Sequence, residues 1–449
     1  MASEWKCHDV ADLIAKSQLV IGDGYRAKND ELGKVGLPFA LAGNINNGFQ
    51  FADADRFPVQ NLGQIGNKVS QSGDVVFTSK GTVGRFAFVK PDTHNFVYSP
   101  QLCFWRSLNP DFIDPRFLYY WMLGPEFYVQ FKGVSGQTDM AEYVSLTDQR
   151  RMRITIPKPA EQRAIAHILG TLDDKIELNR KMNETLEAMA RALFQSWFVD
   201  FDPVRAKAAM RREHPRWTDA EVCRAALPTL APEIAALFPD SFEPSALSNI
   251  PKGWRVMGLD EIARFLNGLA LQKYPPIDGK SVPVIKIAQL RAGNTLGADR
   301  ATADLESDYL VQDGDILFSW SGSLECVFWA GGLGALNQHL FKVTSTQFPR
   351  WLCYLAVHQH LDEFRHIAAG KATTMGHIQR RHLSDAKIAV PPRSLLEAMT
   401  PVIEPIIEST WRRNVESRIL AALRDTLLPK LISGELRIKN VERFVEGAL

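Results

Sequence analysis

Thr78-Ser79-Lys80-Gly81-Thr82, followed by Arg85, sets hydroxyls and cations around a glycine, and Gly136-Gln137-Thr138 follows in the same half of the chain. The other half carries Ser319-Trp320-Ser321-Gly322-Ser323, Gln338-His339, and Gly370-Lys371-Ala372-Thr373-Thr374 leading to His377, Arg380 and Arg381. These residue types suit contact with a nucleic acid. Glycine lets a backbone approach closely, Lys and Arg meet phosphates or guanine edges, and Gln matches adenine. From Arg365 to Lys387 the cations Arg365, Lys371, Arg380, Arg381 and Lys387 stand against one acid, Asp385. The residues expected to touch DNA are Thr78, Ser79, Lys80, Arg85, Gln137, Thr138, Ser319, Trp320, Ser321, Lys371, Thr373, Thr374 and His377. Taken singly, each loop also reads as a solvated hairpin tip.

Catalysis needs a constellation, and none assembles in the sequence. There is no GxxxxGK[ST] phosphate loop. Asn109-Pro110-Asp111-Phe112 is close to the NPPY/F element of amino-methyltransferases. Its third residue is an acid, however, and no glycine-rich AdoMet loop precedes it, so it reads as a turn. Asp173 and Lys175 have a nuclease-like D-x-K spacing but fall in a charged helical stretch. The ten histidines show no ligand spacing, and His358 and His360, two apart on an expected helix, point different ways. Neither a metal site nor a catalytic role is expected of this chain.

The loops need a frame, and the stretch from Pro157 to Asp200 supplies it. Pro157 and Pro159 open it, no further proline occurs before Pro203, and Gly170 is its only glycine. Prolines suit a helix start but not a helix interior. Alternating steps of four and three give Ile165, Leu169, Leu172, Ile176, Asn179, Asn183, Leu186, Ala190, Leu193 and Trp197, a heptad seam with the charges largely off it. About 40 residues at about 1.5 Å each make a rod of about 60 Å. A lone amphipathic rod cannot bury its stripe, so it needs a partner helix. The polar pair Asn179 and Asn183 lowers the seam's stability while fixing its register.

A chain of 449 residues exceeds one compact core and implies two or three domains. With 45% hydrophobic and 23% charged residues, the composition is that of a soluble globular protein. No apolar run reaches the length of a membrane span, and the N-terminus lacks a signal-peptide core. The five cysteines are scattered and form no CxxC pair, so a reducing cytoplasm is the expected compartment. A net charge of +1 is low for a protein that neutralises many phosphates alone. Nucleic-acid contact must then be local, or shared with partners.

Residues 1–156 read as a mixed domain of short strands and turns that closes on a strand at Met152–Ile156. Seven prolines from Pro203 to Pro251 divide the following connector into short helices. Its basic start (Arg205, Lys207, Arg211, Arg212, Arg216) reads as a solvated face or as an arm on DNA. From about residue 252 the first half returns. Gly33-Lys34 with Pro38 matches Gly279-Lys280 with Pro283, and Gly73-Asp74-Val75-Val76-Phe77-Thr78 matches Gly314-Asp315-Ile316-Leu317-Phe318-Ser319. Pro100-Gln101 with Phe104 matches Asn337-Gln338 with Phe341, and Ile154-Thr155-Ile156-Pro157 matches Ile388-Ala389-Val390-Pro391. A second long helix follows, with Ile403, Ile407, Trp411, Val415, Ile419, Leu423, Leu427 and Leu431 recurring every four residues. A straight helix carries such a row slowly around its surface. The expected boundaries are a first domain 1–157, first helix 158–200, connector 201–250, second domain 251–391, second helix 392–434 and tail 435–449.

Four stretches are distinctive together. They are Pro157-x-Pro159-x-Glu161-Gln162 entering the first helix, Phe198-Val199-Asp200-Phe201-Asp202-Pro203 at its end, Ile250-Pro251-x-Gly253-Trp254, and Leu428-Pro429-Lys430-Leu431-Ile432-Ser433-Gly434-Glu435-Leu436. In these the chain resembles the specificity subunit of type I restriction–modification systems over essentially its full length. It departs where the second helix starts, since Pro391-Pro392-Arg393-Ser394-Leu395-Leu396 lacks the Glu-Gln step.

The resemblance implies an α+β fold: two mixed α/β target-recognition domains in a pseudo-two-fold repeat, joined by two long helices that form an antiparallel coiled coil. Each domain would read one half of a split, asymmetric site in double-stranded DNA. The helices would space the domains and dock two modification (methyltransferase) subunits, with restriction (motor and nuclease) subunits as a further partner class. AdoMet, ATP and Mg²⁺ would belong to those partners and not to this chain. Helix pairing is expected through Leu172, Ile176, Leu186 and Leu193 against Ile407, Ile419 and Leu423. A reading of a different class is a two-repeat protein–protein scaffold that does not bind DNA; a mobility-shift assay with and without modification subunits separates the two.

Overall fold

Both halves of the chain are built on the turn made by a Gly-Asp dipeptide. Gly73 has φ +91° and Gly314 φ +89°, in the left-handed region that L side chains avoid. The carboxylate that follows accepts the amide three residues back, from Gln71 to Asp74 Oδ2 and from Gln312 to Asp315 Oδ2, each at 2.8 Å. The computed structural model describes residues 5–46, 48–80, 84–135, 144–277, 279–370 and 376–438. The chain divides into two compact units, residues 1–174 with 421–449 and residues 175–420, and the division falls inside both long helices.

In the first unit Val75–Thr78 runs between Leu102–Ser107 and Phe86–Phe88, with Leu19–Asp23 outermost, all antiparallel. In the second unit Ile316–Ser319 runs between Leu340–Thr344 and Cys326–Phe328, with Arg264–Asn267 outermost. The strand order is the same. The central strands are buried along their whole length, which is why each opens with three consecutive apolar residues, VVF and ILF, instead of an alternating pattern. A second sheet in each unit holds a parallel pair, Leu37–Ala40 with Val97–Tyr98 and Ser281–Ile285 with Gly334–Leu336. A third pairing sets each domain's opening strand against the strand entering its long helix: Lys6–Asp9 on Arg153–Ile156, and Arg255–Gly258 on Lys387–Val390.

One sequence match is out of register. Leu102 pairs with Thr78 and Leu340 with Ser319, so Gln101 corresponds to His339 and Ser99 to Asn337. The Gln-to-aromatic spacing that suggested otherwise is coincidental, and in a strand one residue of slip exchanges the two faces.

The first rod helix runs Pro159–Phe194 and continues as a π-helical turn, Gln195–Val199; the second runs Arg393–Ile432. Their pairing is antiparallel within each unit. In the second unit Ala190, Phe194 and Trp197 share a core with Met399, Ile403 and Ile407. Next along the seam, Asn183 Nδ2 donates to Thr410 O (3.0 Å) and Asn414 Oδ1 (2.8 Å), and Asn179 Nδ2 donates to Glu416 Oε2 (2.9 Å). In the first unit Ile165 and Leu169 pack with Leu428, Leu431 and Ile432, and Arg424 donates to Asp173 at 2.6 Å.

Of the expected pairing residues, Ile407 is buried, and Leu172, Ile176, Leu186 and Leu193 are half-buried. Ile419 and Leu423 are 59% and 46% exposed, a correction to the expected seam. A row taken every four residues advances about 40° per step, so by Ile419 it has turned about 120° from Ile407.

The distinctive stretches have structural reasons. Gln162, fully buried, accepts the Asp114 amide (2.9 Å) and donates to the carbonyls of Phe112 and Pro157 (both 2.9 Å), so it staples the Asn109–Phe112 turn to the helix start. Glu161 accepts from the Trp5 indole (3.0 Å) and from Arg437 (2.7 Å). At the start of the second helix the matching Leu395 and Leu396 are buried in the core. Apolar burial there replaces the polar staple. Phe201 adopts φ +56°, and with Phe198 it packs on Trp254, which explains why the two aromatic stretches occur together.

The basic start of the connector is partly structural. Lys207 is buried, with Nζ on the carbonyls of Ala235 (3.0 Å) and Phe238, and Arg211 pairs with Asp240 (2.8 Å) and Asp219. Arg205, Arg212 and Arg216 are exposed.

His358 gives the second unit a pH dependence. Its Nε2 donates to the Cys326 carbonyl at 2.9 Å, and burial, reinforced by Arg191, lowers its pKa from 6.5 to about 4. Between those values the unfolded chain holds the proton and the folded one does not. Stability therefore falls as pH drops from about 6.5 to about 4, by about 3 kcal/mol in all. Denaturant unfolding at pH 7 and pH 4.5 should show a smaller loss in His358→Gln than in wild type. Glu187, shifted the opposite way by burial, is common to both proteins and cancels in the comparison.

Candidate nucleic-acid interface

Among the described residues, Thr78 and Ser319 end the matching central strands of the two four-stranded sheets, and the expected contact positions Ser79, Lys80 and Arg85, or Trp320, Ser321 and His377, lie beside those strand ends. The Thr78 amide donates to the Arg85 carbonyl, and the Arg85 amide donates back to Thr78 Oγ1, both at 3.0 Å. Ser319 and Glu325 repeat the exchange at 2.9 and 2.8 Å. The Thr78 and Ser319 side chains are fully buried, and Ser79 and Ser321 are buried beside them. These four were expected at DNA. Their side chains are buried instead: Thr78 and Ser319 supply acceptors to backbone amides that a tight loop leaves unpaired, and Ser321 Oγ lies 3.0 Å from His339 Nδ1.

Lys80 is exposed and Arg85 half-buried, so both cations are available at the surface. Trp320 is half-buried; its Nε1 donates to Asn267 Oδ1 (2.9 Å) and to the Gln338 carbonyl (3.1 Å). The rings of His339 and His377 lie 5.6 and 6.3 Å from its ring. Ser321 is bridged to His377, and the Ile378 amide donates to the Trp320 carbonyl (3.0 Å), as the Val144 amide does to Ser79 (3.1 Å). Arg380 is exposed and reaches the Phe265 carbonyl at 3.3 Å. Gln137, Thr138, Lys371, Thr373 and Thr374 lie outside the described residues.

Strand register matches the two cradles position by position, while their side chains differ. The amides of Gly24 and Gly268 donate to the carbonyls of Leu102 (3.1 Å) and Leu340 (3.0 Å). A Cβ on either glycine would come within 1.9 or 2.2 Å of the carbonyl oxygen of Ser99 or Asn337. From that anchor Asp23 matches Asn267, Ser79 matches Trp320, Lys80 matches Ser321 and Gln101 matches His339. The first unit's set carries two charges, Asp23 and Lys80, with Asp23 paired to Lys68 at 2.9 Å and Gln101 accepting the Ala42 amide at 2.9 Å. The second unit's set is aromatic and amide. Asp23, Lys68 and Asn267 were not singled out in the sequence; only strand register brings them to the loops.

The catalytic look-alikes have structural partners. Asn109 closes a turn by accepting the Phe112 and Ile113 amides (both 2.9 Å). Asp173 accepts from Tyr120 and Arg424, each at 2.6 Å. Among the described residues no helix is long and apolar enough to cross a membrane.

A family model described as the type I restriction modification DNA specificity domain matches residues 3–188 and 251–407. The chain is similar to the type I restriction enzyme HindI specificity subunit of Haemophilus influenzae, with 25% identity across 97% of this chain and 100% of that protein. It is likewise similar to the type I restriction enzyme MjaIX specificity subunit of Methanocaldococcus jannaschii, with 25% identity across 83% of this chain and 80% of that protein. Among solved structures, the type I restriction–modification S subunit from M. genitalium has the same fold, with TM-score 0.53, 15% identity and 96% of each chain covered.

Proposed function

This chain belongs to the type I restriction–modification DNA specificity family, and we propose that it is the sequence-reading subunit of such a complex. Each domain reads one half of a bipartite, asymmetric site in double-stranded DNA. The observation that carries this is the pair of matched cradles: one backbone frame, anchored by Gly24 or Gly268, presents a set with two charges in the first domain and an aromatic and amide set in the second. Equal frames with unequal side chains suit two different half-sites.

The long helices set the spacing and dock two modification subunits. Uncovered apolar side chains support a docking role: Leu178, Met182 and Met189 are 50%, 37% and 49% exposed. At about 100° per residue the three fall within about 40° of one another, a stripe suited to a partner helix. A net charge of +1 fits a reader that shares phosphate contacts with its partners. The chain performs no chemistry itself; AdoMet, ATP and Mg²⁺ serve the modification and restriction subunits, and the complex works in the cytoplasm.

Mapping methylated sites in a host that co-expresses the chain with modification subunits tests the reading. Replacing residues 1–156 with another family member's first domain should change one half of the site and leave the other. Simultaneous change in both halves refutes independent reading. If no mobility shift of DNA occurs with or without modification subunits, the two-repeat scaffold is the correct description.

A further inference from the structure

The second domain's cradle places one carboxamide, that of Asn267, on the Trp320 indole and another, that of Gln338, on the His339 imidazole, and this inference rests on the DNA-reading function proposed above. The Trp320 indole nitrogen can only donate, so Oδ1 of the exposed Asn267, 2.9 Å away, is held as its acceptor. That leaves the Asn267 NH₂ group to face away from the indole. Gln338, half-buried, has Nε2 at 3.3 Å from His339 Nε2, and His339 Nδ1 lies 3.0 Å from the buried Ser321 Oγ. Both ring nitrogens of His339 are thereby engaged.

We propose that Asn267 and Gln338 are base-reading groups of the second domain, with Trp320 and His339 as positioning residues: the indole fixes which way the Asn267 amide faces, and the imidazole holds the Gln338 side chain in place. A carboxamide offers one acceptor and one donor side by side, the pattern that pairs with N6 and N7 of adenine. Turned over, it presents donor to donor and acceptor to acceptor, so a held amide discriminates where a free one adapts. In the first domain Asp23 stands at the Asn267 position, paired with Lys68 at 2.9 Å, and Pro100 stands at the Gln338 position. This device therefore belongs to one half-site only.

The test uses the full chain with its modification subunits and reads methylated sites by sequencing. Asn267→Ala and Gln338→Ala should each relax discrimination about 5- to 150-fold at one position of the second domain's half-site. The other half-site should stay as it was. Trp320→Phe, which keeps a ring and removes the N–H, should relax the same position as Asn267→Ala, and the double variant should lose no more than either alone. His339→Phe should likewise relax the position read by Gln338.

The assignment of Trp320 and His339 is overturned if these variants weaken methylation of all sequences uniformly and leave base preference intact. The assignment of the amides is overturned if the wild-type complex methylates a bipartite site and both alanine variants keep its discrimination; the DNA-reading function then stands. If the wild-type complex recognises no bipartite site, that function fails and takes this inference with it.

Discussion

Inserting four residues after Asn183 lengthens the gap between the two methylated half-sites by one or two base pairs and leaves the bases read unchanged. Four residues add about 6 Å along the helix and about 40° of rotation, since they overshoot one 3.6-residue turn. A base pair rises about 3.4 Å, which sets the size of the response. The seam tolerates this step because Ala190 and Phe194 return nearly to the phase that packs on Met399, Ile403 and Ile407. The recognition loops lie outside the insertion. Two inserted residues rotate the same face by about 200° and turn Ala190 and Phe194 away from that core. This second variant should fail to assemble, and methylation should be lost altogether. Mapping methylated sites for both insertions decides the matter: an unchanged gap in the four-residue variant, or altered half-site bases, means the helices do not act as a ruler.

The other large effect lies in the first domain's central turn. Asp74 has no exposed surface and accepts from Arg106 Nη2 (2.7 Å), from the Tyr98 hydroxyl (2.5 Å) and from the Gln71 amide (2.8 Å). Burial and that carboxylate together push the Tyr98 pKa well above its usual 10.0. Asp74→Ala leaves a nearly buried guanidinium unpaired, which costs about 3–5 kcal/mol. Hydrogen exchange in Val75–Thr78 should accelerate by about two to four orders of magnitude. The half-site read by this domain should blur while the other stays sharp. Arg106→Met in the same chain should recover part of the loss, because it removes the unpaired charge; no recovery would place the cost in the turn itself. At the matching position Asp315 is half-buried and paired with Lys342 at 2.9 Å, so Asp315→Ala should be the milder change.

The seam and the repeat were legible in the chain because each rests on local periodicity or local spacing. Ile165, Leu169, Asn179, Asn183, Ala190 and Trp197 are buried at the steps of three and four that the sequence displays. The two Gly-Asp turns announce themselves because few residues other than glycine accept φ near +90°. The row from Ile403 to Leu431 was legible as a helix but not as a seam. Which part of a drifting row meets the partner depends on where that partner lies, and Ile419 and Leu423 fall outside it.

The interface was legible only as a neighbourhood. Thr78, Ser79, Ser319 and Ser321 are polar residues in the expected loops, yet their side chains are buried, with the Thr78, Ser319 and Ser321 hydroxyls bonded within the cradle. Composition cannot tell a hydroxyl that closes a loop from one that meets a ligand; the direction of the strand end decides it. Asp23 and Asn267 sit about 55 residues before their loops in sequence and reach them through antiparallel pairing. The off-by-one match at Gln101 and Gln338 has the same origin. Strand register is set by pairing across the sheet, and it was the hydrogen-bonded partners of Leu102 and Leu340 that aligned Gln101 with His339 and brought Asn267, Trp320 and Gln338 together.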